Sequence, residues 1–435
     1  MIGALRRFLN DVVRPVRAVG LAVAVRVLGA GLAVSVHLGL VRLMGADAYG
    51  IFIFSYTALL VAGTLALIGM DRAVTRFSAA AWALADYETA RSVILVGTAI
   101  ALLGSLICSS GIVISMLLTK NSSVIAYQTT LLIGAFSLPL FVLHRVREGV
   151  ANGLQRMGHV TIPEHIVRQP LLFVMVVAFG WVCQSVPSAE AVMILYVLSM
   201  AILVVGGTVA LYVALPGHIR RGPMRKGHWN WIKTSPAMMF GGGMELIFTQ
   251  VDILVVGVLL GGEAAALYAV ASRLSNLLIY VSRAIDLAVF PAAADSHARG
   301  DLGKLRQLTK AAGRAGVFSV GLGGLAMGLL SEEFLGFFGP EFISASDIVT
   351  VLIVSCFCRV VFGPGAAVLS GTGNHNISAA TMVGAIGVNV VLNIVLVHAL
   401  GLIGAALATL ISTILLGTLN AFFAKLRTGV LTVVH

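Results

Sequence analysis

Residues 191–215 read AVMILYVLSMAILVVGGTVALYVAL, an apolar run that contains no charged side chain. A helix needs roughly 20 such residues to cross about 30 Å of hydrocarbon. The chain contains twelve predominantly apolar runs of about this length, and it is 59% hydrophobic and 11% charged, with a mean hydropathy of +1.00. A soluble domain of 435 residues could not bury so much apolar surface. The sequence therefore predicts an all-α integral membrane protein with twelve transmembrane helices.

The loops between the predicted spans are too short to hold a soluble catalytic domain, and no catalytic residues are expected. The spans lack the alternating pattern of a transmembrane barrel. Their predicted limits are 18–42, 49–70, 92–118, 123–143, 160–184, 190–215, 234–260, 264–290, 312–331, 346–370, 377–398 and 402–424. The four cysteines lie in or beside these spans without the spacing of a metal or redox site, so no metal is expected.

The lysines and arginines of the loops fall almost entirely in every second loop, and therefore on one side of the predicted membrane. They occur in the N-terminal segment, in the loops after the second, fourth, sixth and eighth spans, and in the C-terminal tail. Because positive residues concentrate on the cytoplasmic side, both termini are predicted to be cytoplasmic. This topology and the attraction of anionic membrane lipids explain the net charge of +11 without a nucleic-acid partner.

Similar segments recur half a chain apart. The matches are 44–52 with 260–268 at an offset of 216, Asp86 and Arg91 with Asp301 and Arg306 at 215, and Gly153 with Gly371 at 218. Because six is an even number of helices, both halves keep the same orientation, which predicts two parallel-repeat six-helix bundles around a central cavity. The predicted units are a cytoplasmic lead-in (1–17), an N-terminal bundle (18–215), a basic linker (216–233), a C-terminal bundle (234–424) and a cytoplasmic tail (425–435).

Charged residues inside a span are costly and are candidate functional residues. Arginines outnumber acids among them, and a guanidinium stays charged and binds phosphate oxygens in pairs. The candidates for a cationic substrate cavity are Arg26, Arg168, Arg273, Arg283 and Arg359, with Arg72 and Arg145 nearer the cytoplasmic mouth. A substrate that carries a diphosphate would fit such a cavity.

Pairing on one helix face is the structural alternative for three of these arginines. The pairs are Glu164–Arg168, Arg145–Glu148 and Arg283–Asp286. Arg26 and Arg359 have no such partner on their own helices, which favours a functional role for them.

Two acids of the seventh span, Glu245 and Asp252, are seven residues apart and therefore share a helix face. They could bind a proton or Na+ and couple an ion gradient to transport, which is the only cofactor-like requirement we expect. Alternatively, each could pair with an arginine of the eighth or tenth span. Gly241-Gly-Gly243 precedes them and would let this helix bend.

Six short motifs occur in an order that is similar to a known family. They are RLMGADAYG (42–50), GMDRAVTRF (69–77), TQVD (249–252), GVLLG (257–261), YAVASR (268–273) and LSGTGN (369–374). Together they resemble bacterial polysaccharide and O-antigen flippases of the multidrug/oligosaccharidyl-lipid/polysaccharide exporter superfamily.

This resemblance implies a transporter of the bacterial inner membrane. Its substrate would be a polyprenyl-diphosphate-linked oligosaccharide, flipped from the cytoplasmic to the outer face for the synthesis of surface polysaccharide such as lipopolysaccharide. The implied mechanism is alternating access, in which the two bundles rock around a central cavity. Glycan polymerase or export machinery would be the implied protein partner.

Two other classes of protein remain as alternatives. A cation-coupled multidrug exporter of the same superfamily would be expected to have an acidic cavity, whereas the charged residues of these spans are mostly arginine. A membrane enzyme, such as a glycan polymerase or glycosyltransferase, would be expected to show a long outward loop or paired carboxylates, and the chain contains no Asp-x-Asp. We therefore expect a transporter and not an enzyme.

Overall fold

The computed structural model describes residues 29, 31–119, 122–154, 167–225, 227, 229–240 and 242–434, and this part of the chain is helical and contains no strand. The longer helices are α1 (Gly31–Met44), α2 (Ala46–Leu67), α3 (Met70–Ala83), α4 (Tyr87–Leu118), α5 (Ser122–Ala135), α6 (Ser137–Gly153), α7 (Arg168–Cys183), α8 (Ala189–Ala214), α9 (Gly243–Leu260), α10 (Gly262–Ala298), α11 (Leu302–Leu329), α12 (Ser346–Val361), α13 (Gly365–Gly371), α14 (His375–Leu400) and α15 (Leu402–Thr428). Shorter helical segments are Gly217–Arg221, Asn230–Thr234, Ser235–Met239, Ser331–Gly336 and Pro340–Ala345.

Each of the twelve predicted spans contains at least one of these helices. Within the described ranges, eight helical spans are long and apolar enough to cross a membrane, and the α5–α6 pair, bent by 50°, would form a ninth. Helices α1 and α7 are shorter apolar helices. Charged side chains such as Arg273 and Arg283 interrupt the apolar surface of α10. The structure confirms a multi-pass, all-α membrane protein.

Two predicted spans are less continuous than the sequence indicates, and the seventh divides into two helices where a bend is expected. The second span ends close to its predicted limit, at Leu67, and Gly69, with φ of 75°, precedes the next helix, α3. The fourth bends at Phe136. The tenth is interrupted at Gly363, with φ of 71°, and Pro364, which has no N–H for a continuing helix. The seventh is formed by Ser235–Met239 and Gly243–Leu260, which meet at the glycine-rich segment.

The same features at the starts of helices recur in the two halves at a nearly constant offset. Gly45 and Gly261 precede α2 and α10 with φ of 78° and 93°, conformations that favour glycine. Asp86 and Asp301 cap α4 and α11, and each side chain accepts a hydrogen bond from the N–H three residues later, at 3.1 and 2.8 Å. These pairs are 216 and 215 residues apart, so the sequence repeat is also a structural repeat.

Helix α3 and the second part of α10 occupy equivalent places in the two halves. Gly153, at the end of α6, packs on α3 at the Thr75 carbonyl, and Gly371, at the end of α13, packs on α10 at the Phe290 carbonyl. The connections nevertheless differ. The left-handed turn at Gly69 separates α2 from α3, whereas α10 passes the equivalent point without a break.

The halves pack together on the side away from the basic linker, which we call the distal side; the linker's side is the basic side. Helix α2 contacts α9 and α10, and a Cβ on Gly50 would overlap the Gly262 carbonyl. The Tyr127 hydroxyl of α5 donates to the Gly257 carbonyl of α9 at 2.8 Å. One buried apolar core contains residues of both halves and closes the distal side.

The basic side has separate cores in the two halves. The first surrounds residues such as Met70 and Val142, and the second surrounds Val289 and Val368. The halves therefore share a buried apolar core on the distal side, whereas on the basic side each half has its own core.

Candidate substrate cavity and ion site

An arginine from each half lies near a common set of partners where the halves meet. Arg168 begins α7, Arg273 lies in the distal part of α10, and both act electrostatically on His37 of α1. Arg273 also interacts with the Tyr49 hydroxyl of α2, which lies 3.1 Å from the His37 Nδ1. We call these four residues the interface arginine site.

No carboxylate of the described residues forms an ion pair with Arg273, one of the two arginines of the interface arginine site. Arg273 is half-buried and has a buried Nε without a hydrogen-bond partner among these residues. Burying a guanidinium without an acid is costly. A phosphate group would supply the missing acceptors through charge-assisted hydrogen bonds. The site is therefore suited to an anionic group held between the halves.

A second cluster lies closer to the basic side and is almost balanced in charge. The Glu245 carboxylate at the start of α9 lies 2.9 Å from the Arg359 Nη2 and 3.5 Å from the Arg283 Nε. Asp286, one turn along α10 from Arg283, interacts electrostatically with both arginines. Two cations and two acids thus hold α9, α10 and α12 together. The side chain of Arg283 remains 44% exposed, so it can still contact a ligand.

These contacts change the assignment of partners made from the sequence. Arg359 lacks an acid on its own helix, but Glu245 on another helix pairs with it. Within the described residues, Arg283 is ion-paired with the same Glu245 and not with Asp286. Glu245 is therefore paired with arginines of two other helices. This is one of the two alternatives that the sequence leaves open for it.

Asp252 has different surroundings from Glu245. It is 3% exposed and accepts hydrogen bonds from the Asn393 amide at 2.7 Å, the Tyr268 hydroxyl at 3.0 Å and the Thr409 hydroxyl at 2.5 Å. Asn389, one turn from Asn393, also interacts with it. The side-chain oxygens of Asn389 and Asn393 have no partner among the described residues. One carboxylate surrounded by neutral oxygens suits a proton or a small monovalent cation.

A small cavity, lined by polar and apolar side chains, lies between this Asp252 cluster and the charged cluster. Its volume is ≈ 40 Å³, and its lining includes Asp252, Tyr268 and Thr409 at one end and Arg359 at the other. Such a volume can hold a few water molecules where polar groups bind them. Hydrophilic Ser272 and Ser275 side chains complete much of the lining between the two ends.

The first half places its remaining candidates near the basic side. Arg145 pairs with Glu148 at 2.8 Å, as the spacing predicts, and also with Asp71 of α3 at 3.0 Å. Two carboxylates therefore offset its charge. Arg72 is exposed, and its guanidinium lies against Gly242, at the beginning of the second half.

Two of the charged residues singled out from the sequence lie outside the described ranges. In addition, five residues of the sites were not predicted from the sequence. Arg26 and Glu164 are outside the described ranges, so the role of Arg26 and the Glu164–Arg168 pair stay predictions. The residues that sequence reasoning missed are neutral and polar: Tyr49, Tyr268, Asn389, Asn393 and Thr409. A signal for two of them was available, since two asparagines four residues apart on an apolar helix share one face and seek hydrogen-bond partners.

Two repeated halves of apolar membrane-spanning helices, with charged and polar sites inside them, are the architecture of a membrane transporter. Residues 16–297 match the family model described as Polysaccharide biosynthesis protein, and residues 237–395 match the model described as MatE. The first match covers more than half of the chain. The chain belongs to the polysaccharide biosynthesis protein family, which places it among the polysaccharide flippases of the MOP superfamily.

Curated relatives share part of this sequence. The chain is 29% identical over 173 residues to the "Probable flippase AglR" of Haloferax volcanii, covering 39% of this chain and 36% of that protein. It is 23% identical over 199 residues to the "Probable low-salt glycan biosynthesis flippase Agl15" of the same organism, covering 45% of this chain and 41% of that protein. The matched stretches thus span about two fifths of the length of these relatives.

Solved structures of transporters share the fold over nearly the whole chain. The inward-facing conformation of a multidrug resistance MATE family transporter superimposes with a TM-score of 0.74 at 14% identity, covering 93% of this chain and 94% of that one. The outward-facing conformation gives a TM-score of 0.61 at 14% identity, with 95% of each chain covered. The likeness confirms the predicted twelve-helix fold of two repeats.

Proposed function

We propose that the protein moves a lipid-linked oligosaccharide, carried on polyprenyl diphosphate, from the cytoplasmic to the outer face of the membrane for surface polysaccharide synthesis. The interface arginine site is the observation that carries this proposal. Arg168 and Arg273 come from opposite halves, and Arg273 has no ion pair within the described residues. A diphosphate bound there would contact both halves at once.

Alternating access follows from the way the halves are packed. The Gly50–Gly262 contact and the shared core close the distal side, whereas toward the basic side each half has its own core. A headgroup entering from the basic side would reach Arg273 with its apolar tail still in the bilayer. Rocking of the halves would then separate the distal contacts and expose the headgroup to the other side.

We infer that the Asp252 cluster couples this movement to a Na+ or proton gradient. Its ligands would come from α9, α10, α14 and α15, all in the second half. The unpartnered oxygens of Asn389 and Asn393 are available as additional ligands among the described residues. Binding of an ion would draw these helices together and change the packing of α9 and α10 against α2.

The same proposal assigns a location and partners. The distribution of loop charge supports a cytoplasmic membrane protein with both termini in the cytoplasm. Membrane lipids surround it, and a glycan polymerase or export machinery would take the flipped substrate. The function calls for no nucleic acid, no metal cofactor and no covalent chemistry by the chain.

A cation-coupled multidrug exporter is the second candidate, because residues 237–395 match the MatE model and contain the buried Asp252. The positive interface arginine site argues against it, since a guanidinium repels the cationic drugs that such an exporter would carry. The phenotype of cells that lack the protein separates the two candidate functions. Loss of a drug exporter sensitises cells to cationic drugs and leaves lipid-linked glycans unchanged.

The decisive experiment measures lipid-linked glycans by mass spectrometry in cells that lack the protein, with their sidedness probed from outside. We expect a completed polyprenyl-diphosphate oligosaccharide to accumulate on the inner face. Wild-type protein and the surface control Arg314→Gln should restore export, whereas Arg273→Gln should not. Normal levels and normal sidedness in cells without the protein would overturn the proposal.

A further inference from the structure

A groove on the outer surface of the first half is separate from both sites described above. It lies between α4, α6 and α8 at the basic end of the bundle, next to Gly217–Arg221, and has a volume of ≈ 240 Å³. Its walls are largely apolar side chains: Ile94, Leu95, Leu143, Val146, Val150 and Leu211. The buried Arg147, which donates to the Leu203 carbonyl at 2.7 Å, also lines the groove. Leu95 is 44% exposed, and the main packing partners of α4, α6 and α8 belong to the first half, so the groove lies on the outer surface of that half and not between the halves.

Arginines line the end of this groove nearest the basic loops. Arg91 donates to the Ile219 carbonyl at 3.4 Å, and its buried Nε has no partner in the described part of the chain. Arg220 lies over the ring of Tyr212, 5.5 Å from its centroid. Within the described residues, neither arginine forms an ion pair. Tyrosine is typical of the membrane–water boundary, so these cations lie at headgroup level.

Arg91 and Arg220 thus have hydrogen-bonding capacity that the described part of the protein leaves unused. A phosphodiester carries one negative charge and several acceptor oxygens, which complement guanidinium groups. The apolar walls begin directly below the arginines, as an acyl chain begins directly below a phosphate. Basic pockets between helices on the cytoplasmic side are a known way to bind anionic lipid headgroups.

We propose that this groove binds an anionic phospholipid of the leaflet at the basic side, with its phosphate on Arg91 and Arg220 and an acyl chain along α4, α6 and α8. The occupant is a phospholipid and not the transported molecule, because the groove lies on the lipid-facing surface of one half. A substrate bound there could not contact the interface arginine site. The inference is independent of the proposed substrate and holds for any transported molecule.

The test uses the purified full-length protein and native mass spectrometry, with phosphatidylglycerol and phosphatidylcholine of identical acyl chains as probes. The wild type should retain phosphatidylglycerol in preference to phosphatidylcholine. Replacing both rim arginines, in R91Q/R220Q, should weaken that preference about 30-fold, from roughly 1 kcal/mol for each charge. The matched control K310Q/R314Q removes the same charge from an exposed face of α11 and should keep it.

A second variant tests the acyl-chain part without any change of charge. Leu95→Trp fills the groove and should lower the retention of phosphatidylglycerol although both arginines remain. Three results would overturn the proposal: no lipid preference in the wild type, an equal loss in K310Q/R314Q, or unchanged retention in both R91Q/R220Q and L95W. Displacement of phosphatidylglycerol by polyprenyl phosphate would also overturn it, because the groove would then hold the tail of a carrier lipid.

Discussion

Gly50 of α2 and Gly262 of α10 bring the two halves of the protein into direct backbone contact. A Cβ on Gly50 would overlap the carbonyl of Gly262, so no other residue fits at Gly50 without moving the helices apart. Small residues allow transmembrane helices to approach closely in this way. Because the contact lies at the distal end of the cavity, it is the point where the structure is closed.

Replacing Gly50 by valine should hold the distal side open. We expect transport to be lost. We also expect the distance between spin labels at Ser185→Cys and Ser344→Cys, one on each half, to increase in double electron–electron resonance measurements. Gly111→Val is the matched control, because a side chain there meets open space. Wild-type distances together with full transport in Gly50→Val would show that the contact does not control access.

Removing the charge of Arg273 should weaken substrate transport by about 10- to 100-fold, the range for losing hydrogen bonds to a charged group. Arg273→Lys should keep part of the activity, since an ammonium retains the charge without the paired geometry of a guanidinium. Arg168→Gln should act in the same direction. Transport of a labelled polyprenyl-diphosphate oligosaccharide in proteoliposomes measures this, with Arg314→Gln as the surface control. Unchanged transport in Arg273→Gln would remove the interface arginine site from the mechanism.

A double-mutant cycle on Glu245 and Arg359 should separate pairing from substrate binding. Glu245→Gln leaves two neighbouring arginines without their shared acid, so we expect a lower melting temperature than in the wild type. Adding Arg359→Gln should recover part of that loss, with a coupling of about 1–3 kcal/mol. Additive losses in the double variant would mean that the 2.9 Å ion pair contributes little and that each residue acts separately.

Asp252→Asn should change how transport depends on ion gradients. The amide has nearly the same shape and can still bond with Thr409 and Tyr268, so folding should be retained, but the charge that would hold a cation or proton is gone. We expect transport in proteoliposomes to lose its response to imposed Na+ or pH gradients. Glu263→Gln, an exposed acid of the same half, is the control. An unaltered gradient response would make Asp252 a structural residue.

Asp86 should make stability depend on pH in the acid range. Its hydrogen bonds from Thr89, with a smaller effect of Arg225, hold the pKa of the Asp86 carboxyl below its ordinary value. A lowered pKa in the folded state adds stability above the ordinary pKa, and this stability is lost as pH falls through the folded-state pKa. Asp86→Asn keeps a capping side chain but cannot titrate, so its melting temperature should fall less on acidification.

The matched variant for Asp86 is Asp301→Asn, which alters the equivalent cap of α11. Asp86→Ala should cost about 1 kcal/mol more than Asp86→Asn at neutral pH, because alanine cannot cap a helix. Melting temperatures measured between about pH 7 and about pH 4 provide the comparison. Parallel curves for wild type and Asp86→Asn would show that this carboxyl does not contribute to the pH dependence.

The sequence predicted the number, order and repeat of the helices because these depend on local properties. Hydropathy is read within one span, and the repeat appears as matched residues such as Gly45 and Gly261. Interruptions were harder to predict. Phe136 lies inside an apolar run, so composition alone gives no sign that the helix bends there.

The candidate sites were predicted in part, because contacts between helices depend on packing. The choice of Arg273, Glu245 and Asp252 needed only the rule that charge inside a membrane is costly. Partners distant in sequence were not accessible: Arg359 meets Glu245 at a separation of 114 residues, and Thr409 meets Asp252 at 157. Neutral partners such as Thr409 do not stand out in a search for charged residues.

The break between α2 and α3 has a mechanical consequence. A continuous helix transmits a tilt along its length, whereas a left-handed turn allows the segments on either side to rotate independently. The first half therefore has a turn between two helices where the second half has one continuous helix, α10, with Pro291 toward its basic end. A tilt of α2 can be taken up at Gly69, whereas a tilt of α10 extends past the equivalent point. The two repeated halves are therefore expected to move differently during the transport cycle.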